Sequence, residues 1–154
     1  MTVTLRRWRE DDAPLVAEAT ADEYSALIEG FAREGWLERQ VENRWSHVIE
    51  LDGEAVGGVG AVRRHVPGVA EIGYWVLERA RGQNAATEAT RLLTGWLFEA
   101  TNIARVQATV EPANVASQRV LEKAGFQREG LLRGYASWGR ERRDVFLYGK
   151  LEGD

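Results

Sequence analysis

Cysteine is absent from the chain, which excludes disulfides, thiolate nucleophiles and cysteine-ligated metals. Histidine is almost as scarce: His47 and His65 stand apart, so no metal site is expected. Long apolar runs are also missing. Nowhere do about 18 apolar residues follow one another, and no basic segment leads into an apolar stretch at the start. Neither membrane spanning nor secretion is therefore expected, and the anticipated location is cytoplasmic. Positive charge is not in excess either. The net charge is −4, and the first 50 residues carry eleven acids against six arginines, whereas the remainder carries thirteen acids and fourteen bases. An acidic surface disfavours nucleic-acid phosphate and suits a cationic partner, although scattered helix charges equally describe an ordinary solvated face.

What is present is enough for one packed domain. The 154 residues are 44% hydrophobic and contain no linker or repeat, so a single domain over residues 1–154 with a sizeable core is expected. Thr2 to Trp8 alternates as a strand. Glu10, Asp11 and Asp12, with Pro14 in the first turn, lead into a helix through Leu15, Val16 and Ala19. Two short helices follow, one through Tyr24, Leu27, Ile28 and Phe31, the other through Trp36, Leu37, Val41 and Trp45, broken at Gly30 and Gly35. Their aromatics suit either a core or a lid.

Ser46 to Leu51 and Glu54 to Arg64 flank Asp52-Gly53, which favours a tight type I′ hairpin turn. Gly57, Gly58 and Gly60 lie mid-strand and open no helix, so they mark a bulge or close packing and not a nucleotide loop. Pro67-Gly68 turns the chain into a third strand ending at Leu77. The later pattern is a helix, a strand over Arg105 to Val110, a helix over Asn114 to Ala124, and strands over Phe126 to Arg133 and Asp144 to Leu151.

The most informative stretch is Glu71 to Ala100. Its first seven residues are rich in β-branched and aromatic side chains, whereas Ala85, Ala89, Leu92, Leu93, Trp96, Leu97 and Ala100 recur at helical spacing, so a turn lies across Arg79 to Asn84. A helix starting straight after a turn presents unpaired N–H groups and partial positive charge. With Arg81, Gly82, Gln83, Asn84, Ala85 and Ala86 at that start, small side chains and one formal charge make a cradle for a pyrophosphate. An ordinary strand-to-helix turn with a surface arginine has the same composition. Further on, Asn114 and Ser117 open a helix whose face is Ala116, Val120, Leu121 and Ala124, and Gly125 ends it. By themselves Asn114 reads as a cap and Ser117 as a neutral helix residue.

Three segments in register carry a resemblance: Glu71-Ile72-Gly73-Tyr74-Trp75-Val76-Leu77; Ala80-Arg81-Gly82 with Ala86-Thr87-Glu88-Ala89; and Asn114-x-x-Ser117-x-x-Val120-Leu121-Glu122-Lys123-Ala124-Gly125-Phe126. Glu129-Gly130 and Arg143-Asp144 follow before an apolar last strand. Over nearly the whole chain this order resembles the GNAT acetyltransferase superfamily, in the branch similar to the ribosomal-protein (RimJ/RimL-type) N-terminal acetyltransferases. The resemblance implies a mixed α/β fold, with a six- to seven-stranded sheet splayed between strands four and five, flanked by helices and holding acetyl-CoA. By position, the backbone of Trp75, Val76 and Leu77 would pair with the pantetheine amides, Arg81 to Ala86 would hold the pyrophosphate, and Asn114 would bond the cofactor arm. Ser117 would be the general acid that protonates the CoA thiolate, and Glu71 the general base. The implied acceptor is a peptide or small-molecule amine, and relatives are often homodimers.

The chemistry fits those assignments. An amine is protonated at neutral pH, so a carboxylate must accept a proton, and a backbone N–H such as that of Val76 can stabilise the oxyanion. Glu71 could equally be a strand-end carboxylate paired with an arginine. The chain departs from the family pattern at Asn84, where glycine is expected. Asparagine tolerates positive φ, yet its extra atoms would crowd the phosphates, so weakened cofactor binding is anticipated. That departure leaves two alternatives: a degenerate ligand-binding or sensor protein, or a transferase for a bulkier acyl-CoA. Arg133, Arg140, Arg142 and Arg143 surround Tyr135 and Trp138, but Glu141 and Asp144 interrupt the cluster, so it reads as a hairpin lining the acceptor site or meeting a partner subunit, not as a nucleic-acid surface.

Overall fold

The computed structural model describes residues 1–21 and 35–154. The helix expected through Tyr24, Leu27, Ile28 and Phe31 lies outside them. Among the described residues seven strands, β1 (Val3–Arg7), β2 (Ser46–Leu51), β3 (Glu54–Arg63), β4 (Val69–Val76), β5 (Arg105–Val110), β6 (Gln127–Trp138) and β7 (Glu141–Leu151), follow the order β1-β2-β3-β4-β5-β7-β6, flanked by helices, of which α3 (Ala85–Ala100) is the longest. The chain divides into two compact units, residues 1–61 with 73–93 and residues 62–72 with 94–154, whose boundaries cut through β3, β4 and α3 instead of falling in linkers.

The first unit holds β1 (Val3–Arg7), α1 (Ala13–Ala21), α2 (Trp36–Glu42), β2 (Ser46–Leu51), most of β3 (Glu54–Arg63), the second half of β4 (Val69–Val76) and the first half of α3 (Ala85–Ala100). The β2–β3 turn has φ 51° at Asp52 and 83° at Gly53, the double positive φ of a type I′ turn. The core gathers Trp8, Leu15, Ala19, Val48, Trp75 and Leu77, with Val16, Trp36, Leu37 and Val41 against it. Trp8 meets Trp36 edge-on at 5.3 Å and Trp75 at 6.2 Å between ring centroids. The Trp36 and Trp75 rings thus serve packing.

The β3 glycines make this core possible. A Cβ on Gly57 would lie 2.2 Å from the Trp75 carbonyl oxygen, and one on Gly58 would lie 2.8 Å from the Trp75 indole nitrogen. A bulge between Ile49 and Glu50 accompanies them, so both explanations of the glycine run hold. An ion cluster pins the start of the chain. Arg6 donates to Asp12 at 2.7 and 2.9 Å and to Glu50 at 2.9 Å, and the buried Asp12 also accepts the Arg9 N–H at 2.8 Å. Arg6 holds the Asp12 carboxyl below the usual carboxylate range.

The second unit holds the start of β4, the end of α3, β5 (Arg105–Val110), α4 (Val115–Lys123), β6 (Gln127–Trp138) and β7 (Glu141–Leu151). Parallel pairing joins Val69–Glu71 of β4 to Arg105–Gln107 of β5, while β5–β7 and β7–β6 are antiparallel. The last two strands are longer than their alternation implies. A register shift between Leu132 and Ala136 breaks the period, and Asp144 accepts the N–H of Gly134, at φ 60°, at 2.8 Å, so the hairpin continues past the irregularity.

Two helix faces differ from the expected stripes. In α3 the buried line is Ala85, Ala89, Leu93 and Leu97 together with Thr90 and Thr94, whereas Leu92, Trp96 and Ala100 are exposed. In α4 Gln118, Leu121 and Ala124 are buried and Ala116 is exposed. The expected stripes are thus buried in part, at Ala85, Ala89, Leu93 and Leu97 and at Leu121 and Ala124, while threonine and glutamine take the remaining interior places.

Candidate active site

In the first unit the site begins where β4 ends. The Leu77 N–H donates to the Val56 carbonyl at 2.8 Å, and its own carbonyl accepts from the Ala80 N–H at 2.9 Å. Leu77 therefore spends its backbone donor inside the fold. Strand alternation turns the Val76 N–H and carbonyl away from β3, which makes Val76 the better placed of the expected backbone contacts. The Arg81 side chain folds back, its Nε donating to the Val76 carbonyl at 3.1 Å.

A single 3-10 turn over Glu78–Ala80 leads into the loop. Gly82 has φ 78° and a Cβ there would meet nothing within 4 Å, and Asn84 has φ 61°. Asn84 thus adopts the left-handed conformation that glycine would, and its carbonyl accepts the Glu88 N–H at 3.0 Å in the first turn of α3. The N–H groups of Ala85, Ala86 and Thr87 precede the helical ladder and point along its positive end. Arg81, Gly82 and Asn84 are exposed, Gln83 and Ala86 half-buried, and Ala85 buried. Such a loop suits an anion.

In the second unit Glu71 lies half-buried and opposite Gln107 in the β4–β5 register. Its Oε1 accepts from Gln107 Nε2 at 3.2 Å, so a neutral amide, not an arginine, sits beside it. Gln107 Oε1 in turn accepts from Arg105 Nε at 3.3 Å, and Arg105 donates to Glu129 at 2.7 and 3.0 Å. Arg105 holds the Glu129 carboxyl below its usual range. Gly149 leaves room for this pair, since a Cβ there would lie 2.5 Å from both Arg105 Nη1 and Glu129 Oε2. Sequence reading missed Gln107 and Arg105. The one signal was the alternation of Arg105, Gln107 and Thr109 with Val106, Ala108 and Val110.

Asn114 Oδ1 accepts the Ser117 N–H at 3.1 Å and so caps α4, with Ser117 half-buried in its first turn. Gln118, also unforeseen, is buried and donates to the Pro112 carbonyl at 2.8 Å while accepting from Arg128 Nη2 at 2.9 Å. The Arg128 guanidinium lies 4.0 Å from the Phe146 ring centroid and its Nε donates to the Tyr148 hydroxyl at 3.1 Å. These contacts fix the loop ahead of α4. In the terminal hairpin Arg143 pairs with Glu111 at 3.2 Å and Arg142 Nε donates to the Gly134 carbonyl at 2.7 Å, whereas Arg133 and Arg140 are exposed.

Residues 2–127 match the pattern described as Acetyltransferase (GNAT) domain, and the chain belongs to that family. It is 34% identical over 111 residues to the uncharacterized N-acetyltransferase p20 of Bacillus licheniformis, covering 71% of this chain and 62% of that relative. It thus spans less than two thirds of that relative's length. Among solved structures it resembles a GNAT-family acetyltransferase from Bacillus anthracis, with TM-score 0.88, 25% identity, and coverage of 100% of this chain and 97% of that one. It also resembles Mycobacterium smegmatis RimJ in complex with CoA-disulfide, with TM-score 0.81, 31% identity, and coverage of 98% and 82%.

Proposed function

We propose that the chain transfers an acetyl group from acetyl-CoA to a primary amine, either a peptide or protein amino terminus or a small-molecule amine. The observation that carries this reading is the loop from Arg81 to Ala86, where Gly82 and Asn84 both take positive φ at the start of α3. The CoA compound held by the RimJ structure supports it. Residues Arg81, Gly82, Gln83, Asn84, Ala85 and Ala86 would hold the pyrophosphate through their amides and the arginine charge. Asn84, standing where the family pattern has glycine, would weaken that grip. Val76 would meet the pantetheine arm with its backbone, and Asn114 would bond the same arm.

Acetyl-CoA supplies an activated thioester carbonyl. Glu71 accepts one proton from the acceptor ammonium, the Val76 N–H donates to the carbonyl oxygen as it gains charge, and Ser117 hands a proton to the sulfur. The balance is one N–C bond formed, one C–S bond broken, one proton on Glu71 and the second amine proton delivered to the thiolate by way of Ser117. No covalent enzyme intermediate is needed.

The test is CoA release measured across a panel of peptide amino termini and small amines with acetyl-, propionyl- and succinyl-CoA. With a competent acceptor, Glu71→Gln and Ser117→Ala are each expected to slow turnover about 100-fold. Unchanged rates in both would remove the assigned roles. Binding of acetyl-CoA with no turnover of any amine would favour the sensor reading that the Asn84 departure motivates.

A further inference from the structure

In the second unit a polar row crosses the sheet on the face turned away from α4. Tyr148 and Lys150 of β7 reach α4, through Glu122 at 3.1 Å and the Ala124 carbonyl at 3.1 Å, so Gly149 between them faces the opposite way. Gly149 pairs with Gln107, and Gln107 pairs with Glu71, so three strands contribute to one row. Arg105 and Glu129 fill the space over Gly149 that a side chain would otherwise take.

From this row we infer that Gln107 is a positioning residue that aims the Glu71 carboxylate at the acceptor amine, with Arg105 and Glu129 holding Gln107 in turn. This inference rests on Glu71 acting as the base. A guanidinium only donates and a carboxylate only accepts, so a side chain bridging Arg105 and Glu71 must accept at one end and donate at the other. Glutamine does both and stays neutral at every pH. The Arg105 bond fixes which way the amide lies: reversing it would set NH2 against a donor and oxygen against a carboxylate, losing both bonds. One Glu71 oxygen is thereby tied, and the carboxylate plane is set by a partner that is itself anchored across three strands.

Two substitutions separate positioning from mere filling. Gln107→Glu keeps the size and the Arg105 bond but cannot donate to Glu71, whereas Gln107→Leu loses both bonds. If Gln107 aims the base, both variants lower kcat about 10- to 100-fold, Gln107→Glu at least as much as Gln107→Leu, with KM for acetyl-CoA unchanged. In a Glu71→Gln background the same changes then have almost no further effect, within about 2-fold. If Gln107 only satisfies Arg105, Gln107→Glu keeps the parent kcat, and the inference is overturned. A harmless Glu71→Gln would instead defeat the base assignment. The geometry has its own readout without turnover: the Gln107 side-chain amide resonances must shift in Glu71→Gln and in Arg105→Leu, and an unmoved signal overturns the positioning role.

Discussion

At the residue scale, single polar side chains do their work through fixed partners. Asp12 is the clearest case, buried and bonded twice to Arg6 and once to the Arg9 N–H. Asp12→Asn keeps the shape but removes the charge facing Arg6, and is expected to cost about 2–3 kcal/mol in chemical denaturation. The sign of its pH dependence follows from the direction of its shift. Because the folded carboxyl titrates below its unfolded counterpart, its stabilisation is complete above the ordinary aspartate value of about 4 and drains as pH falls further. Asp12→Asn should therefore flatten the acid limb of the stability curve, and an unaltered acid limb would contradict the pairing. Asn84 was legible at this scale: asparagine's tolerance of positive φ is intrinsic, and the structure finds it at 61°. The partner of Glu71 was not, because nothing within several residues of it encodes Gln107.

Among the elements, β3 shows how one strand's composition serves another's side chains. Gly57 and Gly58 are small because Trp75 of β4 and Trp8 lie against them. Gly57→Ala puts a methyl group into a backbone carbonyl that cannot move alone, and about 3 kcal/mol or more of stability should be lost, measured by thermal or urea unfolding. Gly73→Ala in β4 is the control, since a Cβ there meets nothing within 4 Å and its φ is not positive. Its effect should stay within about 0.5 kcal/mol. Equal losses at the two positions would refute the close-approach argument. The hairpin turn, the α4 cap at Asn114 and the limits of β2 and β5 were readable in advance because local preferences decide them. The buried faces of α3 and α4 were readable only in part, since Thr90, Thr94 and Gln118 are polar residues that tertiary contacts bury.

For the whole molecule, the family match and the loop at α3 lead to a measurable consequence of ligand binding. A cosubstrate that binds only the folded chain stabilises it by mass action, about 2.7 kcal/mol at a hundredfold excess over Kd. For 154 residues that corresponds to a rise in Tm on the order of 5–10 °C with acetyl-CoA. Glu71→Gln should keep the rise while losing turnover, because it removes chemistry and not the loop. A chain whose Tm is indifferent to every CoA thioester would overturn the transferase and sensor readings together.

The sequence by itself determined the strand and helix order among the described residues, the turns, the capped start of α4 and the positive-φ loop, along with the family these signals spell in register. Each is decided by a residue's own backbone preference or by neighbours a few positions away. Only the tertiary structure decided that Glu71 faces Gln107, that Arg105 reaches Glu129 across Gly149, and that Trp75 is packed against glycine. Those juxtapositions depend on strand register, which is fixed when whole faces are buried together, and register joins residues far apart in the chain, 24 positions for Arg105 and Glu129 and 36 for Glu71 and Gln107.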